Sequence, residues 1–322
     1  MTLKKNKQKG FTMLELLIAL TLGLIVTAAA VQLILGSFIT TKLQEANSQI
    51  QDSGLFGLDY IIKDIQMLNF GNSNQYEMKS NTPRGGVVLT AGNDQSNLNA
   101  ALTGSITNAE VVSQSAGVSN MAEIESDQLT IQFVAPANIF NCEGVSVRAG
   151  DLIVQRYYLR ESNQELSLVC DANTPTPATI IEQKTNADGS IEPIEKDNPV
   201  QSAPTAISGL GAQAQVIIPK VDQFKVLLGG VSPGGNLAYY DIETFKDKEN
   251  FKIVALKLSV LIRADGVVPG GNIDAGQTFD LFGTEIDGLS GTLSDTTAAN
   301  KVPRQLYIAT VALRNGLGVN ND

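Results

Sequence analysis

The chain has 322 residues, 43% hydrophobic and 17% charged, proportions ordinary for a folded domain with a sizeable core. It contains no histidine, no tryptophan and two cysteines, which excludes histidine-based chemistry and the common four-ligand zinc sites. The formal net charge is −10 at pH 7, so the surface repels phosphate backbones and direct nucleic-acid binding is not expected.

Lys4, Lys5, Lys7 and Lys9 precede Gly10 with no acidic residue among them. Gly10-Phe11-Thr12-Met13-Leu14-Glu15 follows, and the next charge after Glu15 is Lys42, so Leu16 to Thr41 is 41 − 15 = 26 uncharged positions. As a helix rising about 1.5 Å per residue the run reaches ~39 Å, against a hydrocarbon core of about 30 Å. It therefore spans a bilayer, with the lysines cytoplasmic and the remainder exported. A secretory signal would be removed after a small-x-small site, which Ala28-Ala29-Ala30 offers, but that site lies deep in a run that continues. Cleavage there would discard Glu15 and release a soluble protein. An ionised carboxylate at the head of such a run is costly, and the span supplies no Lys, Arg or His to neutralise it. Glu15 either meets a cation on another chain or sits solvated at the headgroup level.

Beyond the span, Leu43, Ala46, Ile50, Leu58, Ile61, Ile62, Ile65 and Leu68 recur mostly at three- and four-residue spacing. Lys42, Gln44, Glu45, Gln49, Asp52, Asp59, Lys63 and Asp64 take the other faces, so the helix continues as an amphipathic arm packed on a head. Gly54 and Gly57 interrupt the pattern and predict a kink or a close helix contact, and Asn69 to Asn74 reads as the stop.

The rest predicts a β-rich head. Leu129, Ile131 and Phe133 alternate with Thr130 and Gln132, and Tyr307, Ala309, Val311 and Leu313 run similarly, which reads as strands with one buried face. Further strands are expected at Gly86 to Thr90, Leu152 to Arg160, Glu165 to Cys170, Gln215 to Leu228 with a break near Pro219, and Phe251 to Arg263. In the last of these Val254, Leu256, Leu258, Val260 and Ile262 share a face. Polar segments at about 91 to 126, 171 to 206 and 265 to 303 read as surface loops or partly disordered excursions.

Cys142 and Cys170 flank two of these strands, and in an oxidising periplasm they should join, closing 170 − 142 = 28 residue steps. Their spacing lacks the C-x-x-C form of redox chemistry. Asn186-Ala187-Asp188-Gly189 with Glu195 partly fits a calcium loop, but Lys184 stands where the first carboxylate belongs, and no metal is expected. Gly229-Gly230 and Gly234-Gly235 around Pro233 are followed by no Gly-Lys-Ser/Thr and read as a turn between strands. No spacing singles out a catalytic pair of carboxylates, so neither an enzyme nor a cofactor is expected.

The order basic leader, Gly10, Phe11, two further residues, Leu14, Glu15, apolar helix resembles the class III signal of type IV prepilins. The resemblance implies that a prepilin peptidase cuts after Gly10 on the cytoplasmic side and that Phe11 becomes an N-methylated terminus. Loss of the four leader lysines would take the charge to −10 − 4 = −14. The new α-amino group of Phe11 in one subunit would then meet Glu15 of the next. The arm from Leu43-Gln44-Glu45 through Gly54-Leu55-Phe56-Gly57-Leu58-Asp59-Tyr60-Ile61-Ile62-Lys63-Asp64-Ile65 is similar to the PilW family of type IV pilus minor pilins. Looser similarities follow in order at Ser126 to Ile131, Cys142-Glu143-Gly144, Leu168-Val169-Cys170, Val221 to Leu227 and Ala309 to Asn315, while Leu228-Gly229 departs from the family's frequent Tyr-Gly.

What this implies is an α+β, type IV pilin-like fold in four parts. They are a cleaved leader at 1–10, a transmembrane and assembly helix at 11–41, an amphipathic arm at 42–70, and a β-rich antiparallel head at 71–322. The implied function is a minor pilin that helps prime and assemble the pilus at the inner membrane and then sits at or near the tip. Its implied partners are prepilin peptidase, other minor pilins, the major pilin, the inner-membrane assembly platform and a tip adhesin. The alternatives are a type II secretion pseudopilin of the J type and a membrane-tethered periplasmic enzyme or binding domain.

Overall fold

The computed structural model describes residues 10–72, 77–90, 108–173, 179–186, 189–197, 214–268, 273, 276–283, 289–294 and 302–314. The leader lysines, Ala187 and Asp188 of the calcium template, and much of the three expected loops lie outside the described residues. The apolar run and the amphipathic stripe form one helix, α1 (Met13–Gln66), of 54 residues. Its hydrogen-bonded course continues through Gly54 and Gly57, and of the two expectations there the close contact is what the structure has. A Cβ at Gly57 would lie 2.2 Å from Ile218 Cγ1, and one at Gly54 would lie 2.6 Å from Tyr307 Cε2. The helix ends at Gln66, a few residues ahead of the expected stop at Asn69 to Asn74, with the Met67 N–H closing on the Asp64 and Ile65 carbonyls. The chain then turns through Gly71 at φ +78, where a Cβ would also strike Val134 at 2.4 Å, so glycine is required twice over.

The head begins with a single turn, α2 (Asn108–Val111), then β1 (Gln114–Gly117), β2 (Ser126–Val134), β3 (Ile139–Phe140), β4 (Ser146–Val147), β5 (Leu152–Ser162) and β6 (Glu165–Ala172). It continues with β7 (Thr179–Thr185), β8 (Ile191–Asp197), β9 (Gln215–Ile218), β10 (Val221–Val231), β11 (Leu237–Asp241), α3 (Ile242–Lys246) and β12 (Lys252–Arg263). It closes with β13 (Thr278–Asp280), β14 (Ser290–Thr292) and β15 (Arg304–Ala312). A five-stranded sheet has the order β1-β2-β5-β6-β9 and a four-stranded sheet the order β11-β10-β12-β15, with antiparallel pairing throughout. The turn at Ser232 to Asn236 links β10 to β11 as the glycine pattern predicts.

The arm of α1 touches β9, β12 and β15. Its buried stripe of Ala46, Ile50, Leu58, Ile61 and Ile65 enters one core with Leu129, Ile131 and Phe133 of β2, Leu168 of β6, Phe224 and Val226 of β10 and Leu258 of β12. The packing starts at Ile39, two residues before the expected end of the span. Two fully buried carboxylates tie β2 and the segment before it to the second sheet. Asp127 accepts from Lys225 Nζ at 2.5 Å and the Val226 amide at 2.7 Å, and Asp222 accepts from Arg304 Nε at 2.6 Å and Asn120 Nδ2 at 2.7 Å. The attraction in such buried pairs is largely offset by desolvation, whereas removing one partner would leave a buried unpaired charge.

Four expectations need correction. Gly86 to Thr90 is not a strand; Val87 makes one bridge to Ile131, extending the edge of β2 beyond β1. Thr130 and Gln132 do not face solvent, because that segment and Ser113 cover them, with Ser113 Oγ accepting from the Thr130 amide and Gln132 Nε2 donating to the Gly85 carbonyl. The expected loops contain two hairpins, β7–β8 and β13–β14, and Phe279, Leu281 and Phe282 join a second apolar cluster with Leu227 and Leu261. In β12 the shared face breaks at its start: the register shifts opposite Gly229 and Gly230, so Ile253 enters the core in place of Val254.

Candidate functional site

Gly10 and Phe11 stand free in front of α1, Phe11 being 88% exposed. A side chain at Gly10 would meet nothing within 4 Å and its φ is not in the left-handed region, so nothing in this fold calls for glycine there. The helix opens with a capping box that the sequence reading overlooked, although Thr12-Met13-Leu14-Glu15 has the S/T-x-x-E form. Glu15 Oε2 accepts from the Thr12 amide and the Thr12 hydroxyl, both at 3.0 Å, while Thr12 Oγ1 accepts from the Glu15 amide at 3.2 Å. The carboxylate thus has two neutral donors within its own chain, and the need for a cation inside one molecule falls away.

From Met13 to Phe38 the large apolar side chains are exposed, including Leu16, Leu20, Leu24, Ile25 and Leu33. No part of the most apolar window of the helix is buried among the described residues. The span's threonines close their hydroxyls on backbone carbonyls one turn back: Thr21 on Ile18, Thr27 on Gly23, Thr40 on Gly36 and Thr41 on Ser37, at 2.9–3.0 Å. Their polarity is spent inside the helix, which suits a segment surrounded by lipid or by other apolar helices.

The second notable place is where the arm meets the first sheet. Cys142 and Cys170 are joined, with Cα atoms 6.1 Å apart, and the bridge ties the β3–β4 hairpin to β6. Asp64, which the stripe places on an outer face, instead turns toward β5, where Tyr157 OH donates to its Oδ2 at 2.5 Å. With the Gln155 amide oriented to satisfy both ends, its nitrogen donates to Asp64 Oδ2 and its oxygen accepts from the Cys142 amide, each at 2.8 Å. No cation reaches Asp64 in this set, and burial pushes its pKa up to about 6 despite the tyrosine bond. Beside the bridge, burial and then the Asp171 carboxylate push Glu143 up to about 7. Asp171 is held by Arg156 Nη2 at 2.6 Å, whose guanidinium lies 4.4 Å from the Tyr158 ring centre. A carboxylate that neutralises between pH 4 and 7 can report pH or act as an acid. Here, however, Asp64 is enclosed by the helix and β5.

Residues 5–31 match the family described as the prokaryotic N-terminal methylation motif. The chain carries that motif. It covers Gly10, Phe11, Glu15 and the first half of the span, and the remainder of the chain lies outside it. Among solved structures the chain is similar to a type IV-like pilin from Thermus thermophilus, at 12% identity and a TM-score of 0.38, over 83% of this chain and 96% of that one. No curated protein matches the chain.

Proposed function

We propose that this protein is a minor pilin of type IV pilus assembly. The observation that carries the reading is the methylation motif heading a helix whose first half has no partner among the described residues while its second half is docked on the head. In this reading prepilin peptidase removes residues 1–10, Phe11 is N-methylated, and residues 11–41 hold the protein in the inner membrane as a single pass with the head in the periplasm. Residues 42–70 and 71–322 are then the arm and head that the fibre displays at the cell surface. The capping box lets Glu15 rest in the membrane before assembly, and in the fibre its second oxygen receives the methylated amine of a neighbouring subunit. The protein works by assembling with other minor pilins and the major pilin on the inner-membrane platform, and its role is structural.

The test is processing and sorting of Gly10→Val. It should leave an uncut, lysine-bearing form in the inner membrane and none in sheared fibres, read by mass spectrometry of the terminus. Wild-type protein that begins at Met1 or near Val31 overturns the reading. Deletion of the gene should remove surface pili; loss of exoprotein secretion with pili intact would assign the chain to a secretion pseudopilus instead.

A further inference from the structure

On the side of the arm turned away from the head, Leu55 is 63% exposed and Phe56 76% exposed, in the middle of an otherwise polar face. At 100° per residue they point opposite the stripe of Ile50, Gly54 and Ile61 that enters the core. Tyr60, one turn after Phe56, carries the ridge toward the head, donating its hydroxyl to the Asn141 carbonyl at 3.4 Å, and Phe140 beside it is 68% exposed. Aromatic and aliphatic side chains left open in this way mark a contact surface when they lie together.

We infer that Leu55, Phe56, Tyr60 and Phe140 form the docking ridge for the arm helix of a second, non-identical pilin-type subunit. The inference rests on the function proposed above. Lipid is too far away to cover the ridge. Leu55 lies 55 − 41 = 14 residues past the last uncharged position of the span, about 21 Å along the helix, whereas the headgroup layer adds only roughly 5–8 Å beyond the hydrocarbon. The core of the protein's own head is on the opposite side, and on this side the head reaches only the end of the ridge, at Tyr60 and Phe140. What can reach the ridge is a rod standing beside α1. α1 is one helix from the span to the arm, so a neighbour packed along residues 13–41 and crossing at a small angle continues past residues 55 and 56. Phe56 and Tyr60, at i and i+4, present the kind of ridge that enters a groove on another helix.

Charge selects among such neighbours. Asp59 is neutralised by Lys63 at 2.6 Å, but Asp52, one turn before the ridge, is exposed with no ion-pair partner among the described residues. A parallel copy of the same chain would set Asp52 against Asp52, whereas a subunit with a lysine or arginine at that level would be drawn in.

The full-length protein, produced in its own cells with a photo-crosslinking amino acid at position 56, tests this. The expected adduct joins position 56 to the arm of another protein whose mature terminus is N-methylated. Phe56→Ser combined with Leu55→Ser should be cleaved normally, keep the disulfide and fall at least fivefold in sheared fibres, with Phe56→Leu close to wild type. An adduct to lipid, to a second copy of this chain, or to a protein without a methylated terminus overturns the inference, as does wild-type fibre entry of the double variant. The same crosslinker at position 25 separates the two readings. Adducts to pilin-type subunits from 25 with none from 56 sink the ridge alone, and their absence from both, with no wild-type protein in fibres, sinks the proposed function as well.

Discussion

The two halves of α1 contrast with one another. Both are apolar enough to require burial, yet Ile61 at the arm is fully enclosed by the head, whereas Ile25 in the span is 66% exposed. Across residues 43–65 the apolar side chains form a stripe, which is what one partner on one side demands. Across residues 16–41 they run all round the helix, which is what a surrounding medium or several partners demand. The first pattern explains how the chain folds. The second leaves the span without a covering partner among the described residues, the arrangement that lipid or neighbouring subunits would complete.

The largest effect expected from this contrast is at the arm. Ile61→Ala should cost the head about 2–5 kcal/mol, the range for emptying a fully buried aliphatic site. Urea unfolding of the full chain in detergent measures it, and a loss below about 1 kcal/mol would mean that the stripe does not stabilise the head.

Next comes Asp64, the polar member of the arm that faces inward. Its native pKa of about 6 lies above its usual value near 4, so between those pH values the native state binds more protons than the unfolded one. Stability from this group is therefore full at pH below about 4 and is lost as pH rises through 6. Asp64→Asn removes the penalty while leaving an oxygen to accept from Tyr157. The variant should gain up to about 3 kcal/mol over wild type at pH 7.5 and little at pH 4. Unfolding curves of both proteins across that range settle the matter, because their difference cancels the other titrating groups. A constant difference would show that Asp64 does not titrate there.

Asp64 also shows what the sequence could and could not disclose. The stripe at three- and four-residue spacing was readable because one-sided burial leaves a period of 3.6, and most of the long strands were readable through alternation. Asp64 lies at the edge of the stripe, and its inward turn depends on Tyr157 and Gln155, which are distant in sequence and supply the donors. β2 reads as half-polar because Thr130 and Gln132 are polar, but the chain folds over both, with the Val88 amide donating to the Thr130 carbonyl and the Gln132 side chain donating to the Gly85 carbonyl, so alternation in residue type is not alternation in exposure. The strands β13 and β14, three residues each, are too short to carry a period. At the N-terminus the methylation motif was legible from order alone, since Gly10, Phe11 and Glu15 lie within it and owe nothing to the head. The capping box was equally local, and Thr12 three positions before Glu15 is the signal that discloses it.

The glycines of the arm give a finer test. Alanine gains about 1 kcal/mol over glycine in a helix interior, so the sign of each substitution depends on what its methyl meets. At Gly57 it meets fully buried Ile218, which cannot move aside, and overpacking of this kind costs about 1–3 kcal/mol. At Gly54 it meets the Tyr307 ring, partly exposed and able to swing outward. Gly57→Ala should therefore lower the urea midpoint and Gly54→Ala should leave it level or raise it. Equal losses at both sites would mean that the Tyr307 ring is held as firmly as Ile218, and no loss at Gly57 would mean that α1 does not sit on β9 this closely.

The smallest expected effect lies in the span. Ile25→Ala removes as much side chain as Ile61→Ala, but in the isolated protein it vacates no space inside the fold, because nothing among the described residues encloses Ile25. Unfolding of the head in detergent should change by less than about 0.5 kcal/mol, as for substitutions remote from the core. In cells, the contacts removed are those made with whatever surrounds the span. The variant should therefore be cleaved after Gly10 and inserted normally, and any deficit should show only as reduced recovery in sheared fibres. A head destabilised by as much as it is in Ile61→Ala would mean that the span folds back onto its own chain. The two halves of α1 would then not differ in where their partners come from.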